Sequence, residues 1–245
     1  ARVAKKRPLG LNWQPYLPHL FNFVLESLHL PIGGTASYSP HARNVPQILA
    51  GANAHHNQLQ KNEAKLIIYL MSTEMGTASY LENLVNLIAP YYHPSNGGSW
   101  TGSLERFLRF LFIYFNKRLC RVRLGLDDAG GWSVDGEGDS SMIDTLTEQL
   151  MRLSELAIFS KHSQLSATAS RCMSFLADIR PKKVLPGVLD RLHTAMETIT
   201  ATHQLNASMR TLAACVRQLL MAPEDVADGP GLTCKEALAA AMFNT

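Results

Sequence analysis

Two serines have a glycine placed as a catalytic nucleophile would need it, in Gly131-Trp132-Ser133-Val134 and in Gly97-Gly98-Ser99-Trp100. A G-x-S-x-G elbow is a strained turn from strand to helix, and its last glycine lets the backbone turn sharply enough to present the serine hydroxyl to a base. Asp135 and Thr101 stand where that glycine belongs, and no strand pattern precedes either serine. Neither is read as a nucleophile. Gly136-Glu137-Gly138 starts like a dinucleotide fingerprint, but Ser141 replaces the third glycine and the adjoining carboxylates would repel a pyrophosphate. Asp135, Glu137 and Asp139 have the spacing of a calcium loop, yet Ser140 replaces its turn glycine and Leu146 its bidentate glutamate. His55 and His56 are adjacent, so on a helix they diverge by about 100°, and no His/Cys cluster accompanies them. His93, in a Tyr-Tyr-His-Pro turn, reads as a structural ring. The chain is therefore expected to carry no catalytic residue, no metal site and no required cofactor.

The cations give a better candidate. Lys117, Arg118, Arg121 and Arg123 form a cluster in which Lys117 and Arg121 are four residues apart, on one edge of a helix, as a phosphate-binding site would place them. A second reading stands beside it: basic residues at a helix end complement the helix dipole, and Asp127 and Asp128 follow as ion-pair partners. Arg180, Lys182 and Lys183 admit the same two readings. The net charge of +3 and pI near 8.7 are too mild to indicate nucleic acid, so no direct nucleic-acid partner is expected.

Helices must position these residues. The chain has 245 residues, 46% hydrophobic and 18% charged, a globular balance. Apolar residues recur at three- and four-residue spacing, and alternating strand patterns are scarce. Leu17, Leu20, Phe21, Val24, Leu25 and Leu28 make one stripe. Residues 62–72 and 78–91 make two more, separated by a turn at Met75-Gly76, and the Phe-rich stretch to Cys120 another, with Thr101 or Ser103 as its cap. Residues 127–141 hold four glycines and five acids and read as an exposed loop. Helices are expected again from Ile143 to Leu156, Leu165 to Ala177, Lys182 to Ile199 and Leu205 to Met221.

From Leu165 to the matching Leu205 is 40 residues, the length of a HEAT or armadillo unit, roughly 40–47 residues. A lone helical hairpin exposes an apolar stripe that only a stacked neighbour covers. The expected fold is thus an all-α, HEAT/armadillo-like α-solenoid of stacked antiparallel helix pairs. It would comprise N-terminal repeats at 1–123, an acidic Gly-rich loop at 124–141 and C-terminal repeats at 142–245. The absence of an initiator Met and the Ala-rich end lead us to expect a segment of a longer chain. The four cysteines, Cys120, Cys172, Cys215 and Cys234, lack a pairing pattern and are expected as reduced, buried thiols. The longest apolar run, Phe107 to Phe115, is far short of the roughly 20 residues of a membrane span. No membrane partner is expected.

The segment Tyr91-Tyr92-His93-Pro94-Ser95-Asn96-Gly97-Gly98 resembles the middle region of the large HEAT-repeat proteasome activator, subunit 4. The resemblance continues through Asn116-Lys117-Arg118-Leu119-Cys120-Arg121, Leu176 to Pro181, Val184 to Arg191, Glu197 to Thr200 and Thr202-His203-Gln204, in order. It covers residues 28–220 and departs at Leu124 to Ser141 and after Met221. It implies a dome-like α-solenoid that caps the proteasome core particle on its α-ring, opens its gate and promotes ubiquitin-independent degradation, with acetylated histones among the substrates. It also implies a place in nucleus and cytoplasm, and inositol polyphosphate at basic openings, which draws attention to Lys117, Arg118, Arg121 and Arg123. The family's gate-opening tail and acetyl-lysine-reading region have no counterpart here, so this segment is expected as scaffold. The alternative reading is a HEAT-repeat adaptor or transport scaffold that binds peptides or proteins.

Overall fold

A computed structural model of the chain describes residues 12–31, 50–126, 132, 142–197, 201–221, 227–228 and 232–233, with the backbone alone for 50–58, 227–228 and 232–233. Eight α-helices lie among the described residues. They are α1 (Leu17–Ser27), α2 (Ala50–Leu70), α3 (Thr77–Tyr92), α4 (Thr101–Arg123), α5 (Met142–Ala157), α6 (Ser163–Ile179), α7 (Pro181–Glu197) and α8 (Thr202–Met221). The fold is all-α, as the periodicity predicts. A two-residue antiparallel ladder, Ala227 opposite Thr233 and Asp228 opposite Leu232, was not expected and is too short to alter the class.

The chain divides into two compact units, Ala1–Tyr91 with Gly98–Thr145, and Tyr92–Gly97 with Leu146–Thr245. In the first, the apolar stripe of α1 is buried at Leu17, Phe21, Val24 and Leu28. That of α4 is buried at Leu104, Phe107, Leu108, Leu111, Phe115 and Leu119. Each such side chain removed from water contributes roughly 1.5–3 kcal/mol. Long-range contacts give the repeat. Arg106 Nε donates to Gln60 Oε1 at 2.6 Å, and Arg118 Nη1 to the Met71 carbonyl oxygen at 3.0 Å. Partners advance together along both helices, so α2 and α4 run parallel, with separations of 46 and 47 residues. The α1 and α3 strip behaves alike: Phe21 packs on Tyr80 at 5.6 Å between ring centroids, and the Tyr91 hydroxyl donates to the Pro31 carbonyl at 3.0 Å. Helices two apart in sequence are equivalent members of successive hairpins.

The second unit repeats the arrangement. Glu148 pairs with Lys183 and Glu155 with Arg191, which sets α5 parallel to α7. The Ser170 and Thr211 hydroxyls meet at 3.1 Å, buried between α6 and α8 and 41 residues apart. The 40-residue interval expected from Leu165 to Leu205 therefore corresponds to a direct contact between successive hairpins. His162 and His203 keep the same spacing. His162 Nδ1 accepts from the Leu165 amide at the start of α6, and His203 Nε2 lies 2.9 Å from the Phe159 carbonyl oxygen.

Several local expectations are corrected. Helix α2 begins at Ala50, not near Asn62. The N-cap of α4 is Trp100, which makes no side-chain capping bond. Thr101 instead points backward, its Oγ1 accepting from the Gly98 amide at 3.1 Å and donating to the Gly98 carbonyl at 2.9 Å. The turn at Gly76 is where it was expected, with φ of +60° that a glycine adopts at low cost. Cys172 and Cys215 are buried, which pushes each thiol up to about 12, but Cys120 is exposed because it falls on the solvent edge of α4. No described helix is long and apolar enough to cross a membrane. Cys234, the His55 and His56 side chains and the acids from Asp127 to Asp139 lie outside the described residues.

Candidate functional site

The basic end of α4 and the turn between α3 and α4 are the two places where sequence chemistry and geometry can be compared directly. Helix α4 stops in a Schellman turn. The Leu126 amide donates to the Arg121 carbonyl at 2.8 Å and the Gly125 amide to the Val122 carbonyl at 2.9 Å, with Gly125 at φ +65°. The four predicted cations do not share one face. Lys117 and Arg123 are exposed, Arg121 is half-buried and Arg118 is buried, with 1% of its surface accessible.

Arg118 points into the protein. Its Nη1 donates to the main-chain oxygens of Ile68 and Met71, carbonyls that the end of α2 leaves without intrahelical partners. A cation there also meets the negative end of the α2 dipole. The Trp132 indole lies under the guanidinium, Arg118 Cζ being 4.0 Å from the ring centroid, and its Nε1 donates to the same Met71 oxygen at 3.0 Å. Phe115 meets the Trp132 ring edge-on at 5.8 Å, and Tyr69 lies 5.8 Å from the guanidinium carbon. This side chain is a buried clamp, so the expectation that it belongs to a solvent-facing phosphate site does not fit its position.

The other cations divide between roles. Lys117 Nζ lies 5.3 Å from the Tyr114 ring centroid, and Lys65 Nζ, from α2, lies 5.9 Å from the same ring. Arg121 Nη2 donates to the Leu126 carbonyl at 2.9 Å and helps close the Schellman turn. Of the other cations at a repeat turn, Lys183 pairs with Glu148, and Arg180 Nη1 donates to the Ile179 carbonyl at 3.3 Å. Sequence reading missed Lys65 and Trp132. Lys65 adjoins Lys117 only through the packing of α2 on α4, and Trp132 is a single aromatic residue in a stretch otherwise read as solvent-exposed.

In the Tyr91 to Gly98 segment, Tyr91 meets Trp100 edge-on at 6.0 Å while its hydroxyl holds Pro31. Tyr92 is buried. The Asn96 amide closes a turn on the His93 carbonyl at 2.9 Å, and the Ser95 hydroxyl lies 2.6 Å from His93 Nδ1. His93 thus has the structural role expected of it. Ser99 and Ser133 were rejected as nucleophiles; Ser99 is exposed in this turn, and Ser133 lies outside the described residues. Among the described residues, no three His, Cys, Asp or Glu side chains gather as a metal site would need. The contacts described at these two places hold helices together.

Residues 81–224, which include this turn, Arg118 and Trp132, and α5 to α8, match the family model described as proteasome activator complex subunit 4, mid HEAT repeats region. The chain belongs to the proteasome activator complex subunit 4 family. It is 34% identical over 233 residues to proteasome activator subunit 4 of Arabidopsis thaliana, covering 95% of this chain and 13% of that protein. It is 28% identical over 234 residues to proteasome activator complex subunit 4 of Homo sapiens, and 29% over 238 residues to that of Xenopus laevis. Each of these two matches covers 94% of this chain and 12% of the relative. The chain thus spans about an eighth of the length of these curated relatives. Of the parallel helix pairs, α6 with α8 lies wholly within the matched residues, whereas α2 precedes them.

Proposed function

We propose that this chain is a scaffold segment of a proteasome activator, a stretch of HEAT-repeat wall in a protein that caps the core particle on its α-ring and opens its gate. The observation that carries this reading is the match to the family's mid HEAT repeats across residues 81–224. The parallel contacts Arg118 with Met71 and Ser170 with Thr211 support a load-bearing role, because they fix one hairpin against the next. The complete protein promotes ubiquitin-independent degradation, acts on substrates that include acetylated histones, and works in nucleus and cytoplasm. The segment itself catalyses nothing and binds neither nucleic acid nor membrane. Of its cations, the exposed Lys117, with Lys65 near the same Tyr114 ring, and the exposed Arg123 are those that would meet an inositol polyphosphate.

The test is association. The complete protein that carries this segment, tagged and recovered at low salt, is expected to bring down core-particle subunits. Recovery of soluble cargo without any core-particle subunit would instead support an adaptor.

A further inference from the structure

We infer that Asn96-Gly97 is a site of spontaneous deamidation, at which the turn converts its own asparagine to aspartate and isoaspartate. The sequence contains one Asn-Gly pair, and it lies here. Asparagine is a chemically labile residue, and its lability is greatest where the following amide nitrogen can reach the side-chain carbonyl carbon unhindered. Three features of the turn supply that access.

Asn96 and Gly97 are both exposed. Gly97 carries no side chain to shield its own amide nitrogen, and a Cβ built there would have no atom within 4 Å apart from the adjoining residues. The flanking amides are held while this one is not. The Asn96 amide donates to the His93 carbonyl, the Gly98 amide to Thr101 Oγ1, and no described residue accepts a hydrogen bond from the Gly97 amide. A pinned amide would have to break its bond before acting as a nucleophile. The Gly97 amide lies open between two pinned neighbours, and Pro94 and the Ser95 contact to His93 keep the turn in place around it.

The chemistry needs water alone. Solvent base removes the Gly97 amide proton, the nitrogen attacks the Asn96 side-chain carbonyl carbon, and a C–N bond forms. The side-chain nitrogen takes up a proton and leaves as ammonia, giving a five-membered succinimide. Water then adds to one or the other ring carbonyl and opens the ring, restoring an α-linked peptide as aspartate or leaving a β-linked one as isoaspartate. Either product puts a carboxylate into the turn, and isoaspartate also lengthens the backbone by one carbon between the anchors at His93 and Thr101.

Gly97→Ala is a clean control, because Gly97 has space for a methyl group and its φ lies outside the left-handed region. The protein carrying the segment is held at mildly alkaline pH, and peptides spanning Tyr91 to Trp100 are followed by mass spectrometry and chromatography. The expected result is conversion of Asn96 to two products of equal mass, faster at higher pH and slowed severalfold by Gly97→Ala. Two results would overturn the inference. One is Asn96 staying intact in the folded protein over the time in which a synthetic peptide of the same sequence converts. The other is an unchanged rate in Gly97→Ala.

Discussion

Arg118 and Met71, 47 residues apart in the chain, meet through a 3.0 Å hydrogen bond from the guanidinium to a main-chain carbonyl oxygen. That oxygen also accepts the Trp132 indole N–H at 3.0 Å. One hairpin therefore caps the C-terminal end of a helix in the hairpin before it, through an arginine and a tryptophan stacked on each other. The carbonyls of Ile68 and Met71 need donors, and once buried they have no water to supply them.

Replacing Arg118 with Met is expected to destabilise the 245-residue chain by about 1–3 kcal/mol, because the buried Ile68 carbonyl loses the guanidinium donor and the Met71 carbonyl is left with the Trp132 indole. Arg118→Lys should recover less than half of this, since an ammonium lacks the planar fork that stacks on Trp132. Trp132→Ala should cost roughly 3–5 kcal/mol. The double variant should fall short of the sum by at least about 0.5 kcal/mol in chemical denaturation, as expected for side chains that share one acceptor. Strict additivity would refute the clamp.

The two glycines of the α3–α4 turn should behave differently. A Cβ on Gly98 would overlap the Trp100 ring, so Gly98→Ala is expected to cost about 1–3 kcal/mol through displacement of that ring. Gly97→Ala should stay within about 0.5 kcal/mol of the parent sequence. Thermal unfolding of the pair checks both.

Glu63 sets a pH dependence. It is buried on α2, and burial raises its carboxyl from 4.5 to about 7, with the Ser27 hydroxyl opposing the shift. A raised carboxyl means the folded chain keeps a proton that the unfolded chain releases. Its contribution is therefore full below pH 4.5 and is lost as pH rises to about 7. The loss should amount to roughly 1–3 kcal/mol, and Glu63→Gln should flatten stability across that window. A stability that rises through the same window on account of Glu63 would contradict the assignment.

Charge reversal tests the surface cations. Lys117→Glu with Arg123→Glu in the complete protein is expected to weaken inositol hexakisphosphate binding and reduce its salt dependence, with unfolding nearly unchanged because both side chains are exposed. Unchanged affinity in calorimetry would remove this part of α4 as an anion site.

Much of the fold was legible because helix formation follows local spacing. The stripe from Leu17 to Leu28 gave α1, and the Leu165 to Leu205 interval gave the repeat that Ser170 and Thr211 make physical. The start of α2 was missed because Ala50-Gly51-Ala52-Asn53-Ala54 carries no amphipathic stripe. Arg118 was misread for a different reason. Its charge suggested the surface, yet it stands three residues after Phe115 and seven after Leu111, on the stripe that α4 buries. That spacing was a usable signal, and charge type overrode it. Trp132 gave none, since its partner Met71 is 61 residues away and the contact is made through a main-chain oxygen.

Peptide hydrolysis by purified core particles, titrated with the complete protein that carries this segment, tests the central claim most directly. A saturable increase in turnover, reduced in proportion to folding loss by Arg118→Met, is the result expected of a scaffold in a gate-opening cap. Unaltered hydrolysis at concentrations where the two are shown to be mixed and folded would contradict it.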